Sequence, residues 1–147
     1  MEDRIERALA ITPESSASAR TIDITTTGAR TGRPRRIEIW FYRVDGEVHL
    51  TTRPAVRSWY ANLRANPEFT VHLKHGVRAD LAAWAEPVED PVERRRIFWS
   101  VIEDLNHPRH RGYLAQPVEP LERWVEGSPL VRVHFAVDVD GTRGASR

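Results

Sequence analysis

The chain contains no cysteine. That absence excludes a disulfide framework, thiolate zinc sites and cysteine nucleophiles. It also lacks any apolar run of the roughly 20 residues needed to cross a bilayer. Its start is no secretory leader, because Met1 to Ala10 carries Glu2, Asp3, Arg4, Glu6 and Arg7 where a leader needs an apolar segment. Net charge is nearly absent too: 22 Lys and Arg against 21 Asp and Glu leave +1. A protein so close to neutral has no global attraction to nucleic acid. These absences describe a soluble, cytoplasmic protein with a small-molecule partner.

What is present suits one domain over residues 1–147, with 40% hydrophobic residues. Residues 2–11 read as a short helix through Ile5 and Leu9, and Thr12 to Ala19 as a loop, so that 1–19 precedes the barrel proper. Thr21 to Thr27 alternates, with Ile22, Ile24 and Thr26 on one face. Gly28 to Pro34 is a turn, and Arg35 to Val44 a second strand. There Ile37, Ile39 and Phe41 share the core face, while Glu38, Trp40 and Tyr42 share the other. Asp45-Gly46 is a hairpin signal, and Glu47 to Thr52 a third strand that buries Val48 and Leu50. A helix opens near Ser58 and ends at Asn66-Pro67. Strands follow over Phe69 to Lys74 and Val77 to Glu86. Pro91 begins a helix whose stripe is Ile97, Phe98, Val101, Ile102 and Leu105. Asn106 to Gln116 is irregular. Pro120 starts a short helix, Leu130 to Val137 is a last strand, and 138–147 is a flexible tail.

Six mostly hairpin-connected strands and a few helices define a mainly β, α+β chain: an antiparallel barrel with flanking helices. A doubly wound parallel sheet is excluded, because the second and third strands have no crossover helix between them.

Two segments are dense in binding chemistry. In Thr25-Thr26-Thr27-Gly28-Ala29-Arg30-Thr31-Gly32-Arg33-Pro34-Arg35-Arg36, glycines let backbone N–H groups converge on one anion. Thr27 and Thr31 add hydroxyl donors, and Arg30 and Arg35 flank the turn as phosphate or carboxylate forks. The spacing is not that of a Walker A loop. The same residues also suit a solvated arginine-rich turn. In Leu50 to Leu63, a strand end, a short loop and a helix start bring Thr52, Arg53, Ser58, Trp59 and Tyr60 together. Free N–H groups there favour an electron-rich group, and an aromatic side chain can wall a planar ring. The plain alternative has Trp59 in the core and Arg57 on the surface.

Other constellations read as structural. His107 and His110 lack nearby acids for a metal site, so no metal is expected. Arg94-Arg95-Arg96 reads as the wet face of a helix, and no nucleophile elbow is present.

"TTTGARTGRPRR", an apolar strand, "DG" and then "WYANLRANPEFTVHL" together resemble the deazaflavin-dependent nitroreductase family of the flavin-binding split-barrel superfamily. The resemblance covers roughly Thr21 to Glu86. It implies an FMN-binding-like split barrel and an oxidoreductase that uses reduced coenzyme F-420 to deliver a hydride to a planar acceptor: a quinone, enone or nitro compound. It also implies cofactor-binding roles. Arg30 and Arg35, with Thr31 and Gly32 between them, would hold the phosphate and acidic tail. Thr52 and Arg53 would contact the ring and its polar edge, and Ser58 and Trp59 would lie beside it. No catalytic acid or base is named.

Three departures stand out. The Arg53–Trp59 loop is short, Glu38 occupies a strand position where the family often has Pro, and the family's tyrosine-rich segment is replaced by His107 to Tyr113. Two alternatives stay open: FMN as the cofactor, or a non-catalytic coenzyme carrier. A homodimer is compatible with the sequence.

Overall fold

A computed structural model describes residues 1–110 and 118–136. The structure is a six-stranded antiparallel barrel closed in the order β1-β2-β3-β6-β5-β4. The strands are β1 (Thr21–Thr27), β2 (Pro34–Val44), β3 (Glu47–Thr51), β4 (Glu68–Leu73), β5 (Ala79–Pro87) and β6 (Leu130–Phe135). The helices are α1 (Asp3–Leu9), α2 (Ser58–Ala65), α3 (Pro91–Leu105) and α4 (Leu121–Gly127). None of the described helices is long and apolar enough to cross a membrane.

The period-2 alternation sets the inner face. Ile22 pairs across from Ile39, Ile24 from Ile37 and Phe41 from Leu50. Ile24, Phe41 and Leu50 are fully enclosed in the barrel, with Val71, Ala85 and Val133 from the opposite wall. Full burial of each large side chain among these contributes about 1.5–3 kcal/mol. The β2–β3 turn needs two left-handed residues, and Asp45 and Gly46 supply them at φ 52° and 78°. Ile5 and Leu9 of α1 join the same core.

A second core lies outside the barrel, which alternation alone does not show. Tyr42, on the face of β2 opposite Phe41, is buried with Ile97, Phe98, Val101 and Leu105 of α3 and Trp124 of α4. His49 on β3 is buried as well, at 1% exposure. β2 and β3 are therefore covered on both faces. Asp90 caps α3 by accepting the Glu93 N–H at 2.9 Å, and Pro91 occupies its first turn.

Several boundaries and environments differ from expectation. β3 stops at Thr51, one residue early, and β5 begins at Ala79, not Val77. The 12–19 loop runs into a turn of 3₁₀ helix at Ser18–Arg20. That turn delivers Arg20 into the interior, where it pairs with Asp104 at 2.7 Å and donates to the carbonyls of Thr12 and Ser15. Asp104 also meets His110 Nε2 at 3.1 Å. Arg94 is not on a wet face. It donates to the carbonyls of Val88, Val125 and Ser128 at 2.6–3.0 Å and sews α3 to the α4–β6 connection. The expected strand end at Val137, the tail 138–147 and the segment from Arg111 through Tyr113 lie outside the described residues.

Candidate functional site

The connection from β1 to β2 is pinned from below by α2. Asn62, almost fully buried, accepts the Ala29 N–H at 2.9 Å and donates to Thr26 Oγ1 at 3.0 Å. Within the loop, Gly28 donates to the Arg33 carbonyl at 2.8 Å, and Gly32 donates to the Gly28 carbonyl at 2.9 Å. Thr31 Oγ1 accepts the Arg33 N–H and leaves no room for a side chain at Gly28, where a Cβ would come within 2.6 Å of it. Gly32 supplies a positive φ of 69°. The loop is held, yet its cations are not. Arg30, Arg33 and Arg35 make no ion pair or side-chain hydrogen bond with any described residue.

Beside this loop lies a groove of about 670 Å³ between the barrel rim and the start of α2. Arg30, Thr31 and Arg35 form one bank, and Arg57, Ser58 and Trp59 the other. A second cavity of about 380 Å³ adjoins it, between the outer face of β2 and α3–α4. Thr52, Arg53, Trp40, Tyr42 and Trp124 are among its walls. Arg57 lines both, so the two spaces are neighbours across one side chain.

Seven of the eight predicted residues thus line this paired cleft. Arg30, Thr31, Arg35, Ser58 and Trp59 border the groove, and Thr52 and Arg53 the cavity. Gly32 is not on the wall; its role is the turn. Trp59 belongs to both readings offered for it, being 6% exposed within the barrel core while an edge borders the groove. Arg57 is not the plain surface residue of the simpler reading. It precedes α2, donates to the Arg53 carbonyl at 3.1 Å and buries its Nε. Three contributors escaped the sequence reading as site residues: Arg57, the loop clamp Asn62, and Trp124.

Thr52 Oγ1, Arg57 Nε, Trp59 Nε1 and Trp124 Nε1 on these walls are buried and have no hydrogen-bond partner among the described residues. Each such group costs about 1–3 kcal/mol if left unmet, and buried donors are ordinarily met by a partner. The carboxylates on the wall are spoken for: Glu38 pairs with Lys74, and Glu119 lies 3.9 Å from Arg53. Glu38 therefore sits at the rim and outside the core, as its alternation with Ile37 and Ile39 requires. Burial, helped by the charge of Asp104, pushes the Tyr42 hydroxyl far above the usual phenol range, so it stays protonated. Donors thus dominate the cleft, which suits an electron-rich planar ligand with an anionic end.

Residues 12–118 match the model of the family described as F420H(2)-dependent quinone reductase. An F420H(2)-dependent quinone reductase from Mycobacterium tuberculosis is 30% identical over 106 residues, which is 65% of this chain and 65% of that protein. The chain thus spans just under two thirds of that relative's length. Among solved structures, a conserved hypothetical protein from Mycobacterium tuberculosis matches with a TM-score of 0.61 and 26% identity, covering 90% of this chain and 79% of that one. General Stress Protein 26 from Bacillus anthracis shares the fold at a TM-score of 0.54 and 15% identity, covering 90% of each chain.

Proposed function

Because this chain belongs to the F420H(2)-dependent quinone reductase family, we propose that its paired cleft binds coenzyme F-420 and that the protein reduces a quinone-like acceptor. The observation that carries this reading is the set of spare arginines. Arg30 and Arg35 face the groove without a side-chain partner among the described residues, and the loop that bears Arg30 and leads into Arg35 on β2 is fixed by Asn62. Preorganised, unpaired guanidinium groups suit a phosphate followed by an acidic tail.

The residues present fit the coenzyme. Arg57 Nε, buried with no hydrogen-bond partner among the described residues, and the backbone at Thr52 and Arg53 would meet the ring's polar edge. Arg30, Thr31 and Arg35 would hold the phosphate end, and Ser58 and Trp59 would border the ring. When bound, the reduced coenzyme supplies the hydride. The chain itself anchors the anionic end, orients the planar portion through α2, and excludes water with Trp40, Leu105 and Trp124. No side-chain nucleophile is required. The family's description names quinone reduction, so a quinone is preferred over an enone or a nitro compound. A cytoplasmic location and a homodimeric assembly are parts of the same reading.

The test is parallel binding of F-420, FMN and haem to the purified protein, followed by oxidation of reduced F-420 with menadione (2-methyl-1,4-naphthoquinone). Saturable F-420 binding that weakens with salt, with turnover on menadione, is the expected result. Preferential binding of FMN, or F-420 binding with no turnover on any quinone, overturns the respective halves of the reading.

A further inference from the structure

Trp124 is held by packing alone. It is 2% exposed, its ring lies 5.7 Å from that of Phe98 at 49°, and α3 and α4 meet around it. Packing explains the ring but not the N–H. A buried indole ordinarily donates to something, and Trp124 Nε1 has no hydrogen-bond partner among the described residues. The residue also lines the 380 Å³ cavity, whose wall includes Thr52 with its own buried and unpartnered hydroxyl. Ile39, Trp40, Leu105 and Val118 give the wall its apolar part, and Tyr42, Thr51, Arg53 and Arg57 add further polar side chains. Of the two carboxylates on its wall, Glu38 pairs with Lys74 and Glu119 lies 3.9 Å from Arg53. The cavity therefore offers donors to its occupant and few free acceptors.

We propose that Trp124 orients the electron acceptor, its indole N–H donating to a carbonyl oxygen of a flat quinone held in this cavity, with the Thr52 hydroxyl as a second donor. This rests on the quinone-reductase reading above and adds to it a residue and a selection rule. A quinone oxygen only accepts hydrogen bonds, so it complements both donors. A hydrocarbon of the same shape leaves both unmet and is disfavoured, because a site built to hydrogen-bond rejects an analogue that lacks the group.

The experiment follows the Trp124 indole N–H by nitrogen-15 NMR in the full chain, with and without F-420. The ligands are menadione and 2-methylnaphthalene, the same skeleton without its two oxygens. Menadione is expected to move the Trp124 resonance downfield, and 2-methylnaphthalene to leave it in place. Trp124→Phe, which keeps an aromatic ring and removes the N–H, identifies the peak by its loss. It is expected to raise the KM for menadione about tenfold with a smaller change in kcat, and to leave the dissociation constant for F-420 within about twofold. An indole resonance unmoved at saturating menadione, or an unchanged KM in the variant, overturns the proposal. If Phe at 124 fails to fold, the resonance is assigned through its proximity to Phe98, and the indole measurement on the parent protein decides alone. Failure of the function itself looks different: the parent then neither binds F-420 nor oxidises its reduced form, whatever the indole does.

Discussion

The arginines of this protein fall into two groups with opposite environments. Arg20 is wholly buried and bonded to Asp104, Thr12 and Ser15, and Arg94 is spent on backbone carbonyls. Arg30 on the glycine loop and Arg35 at the start of β2 have no side-chain partner among the described residues. The first group is bonded by the fold itself, and its removal strands polar groups inside. The second group adds nothing to the fold, and its positive charge faces a groove. The same side chain is structural in one region and available for a ligand in the other. The difference lies entirely in what surrounds the guanidinium.

The strongest way to break this comparison is at Arg20. Arg20→Ala leaves Asp104 buried with its charge uncompensated, a loss of about 3–5 kcal/mol. The urea midpoint should fall accordingly, with the slope of the transition unchanged. A loss under about 1 kcal/mol, comparable to an exposed pair, would mean that Arg20 belongs with the spare arginines after all.

A buried histidine sharpens the structural side of the comparison. Burial, followed by the charge of Arg132, pushes the His49 imidazole down to about 4. The unfolded chain titrates it near 6.5. Between those values the unfolded state takes up a proton that the folded state refuses. His49 therefore withholds no stability above pH ~6.5, and its contribution is lost as pH falls from there to about 4. The loss amounts to at most about 3 kcal/mol. His49→Asn should flatten the dependence of the urea midpoint over that window. A wild-type midpoint that does not change between pH 7 and pH 4.5 would rule out the buried neutral imidazole.

These two residues also mark how far the sequence could be read. The barrel was legible because alternation is local: Ile22, Ile24, Ile39 and Phe41 declare one face without help from distant residues. The cover over β2 and β3 was not, since it depends on where α3 and α4 dock. Nothing near His49 or Tyr42 says that their face is buried. Arg20 looks like any basic residue after a serine-rich loop, and Arg94 like one of three in a row. At the site, the glycine turn announced Arg30 and Arg35 through its own chemistry, whereas Thr52 and Ser58 came from the family resemblance. Asn62 and Trp124 gave no such sign, because each acquires its role from a partner far along the chain.

The ligand side of the comparison is tested at the spare arginines. Arg30→Ala and Arg35→Ala should each weaken F-420 binding by about 1.5–3 kcal/mol, the worth of a hydrogen bond to a charged group. That is roughly tenfold or more in dissociation constant. The urea midpoint should barely move, and the salt dependence of binding should become shallower. Isothermal titration at two ionic strengths measures both quantities. Unchanged affinity in both variants would remove the phosphate-anchor role, and a drop in stability would show that the loop arginines are structural like Arg20.

The smallest expected effect belongs to Glu38, which stands between the two groups. Its carboxylate borders the cavity, yet it is largely exposed and already paired with Lys74, which Asp23 also holds at 2.7 Å. Exposed pairs of this kind add little to stability, so Glu38→Gln should leave the urea midpoint within error. Its effect should appear only in the cavity. Removing the negative charge at the rim, while Lys74 keeps its bond to Asp23, makes the entrance more positive. Acceptors that carry a sulfonate should then gain, with KM falling by up to about threefold, while neutral menadione should not respond. A salt titration separates this from a change of shape, because an electrostatic gain fades as ionic strength rises. Equal responses from neutral and sulfonated quinones would mean that Glu38 acts by occupying space and not by its charge.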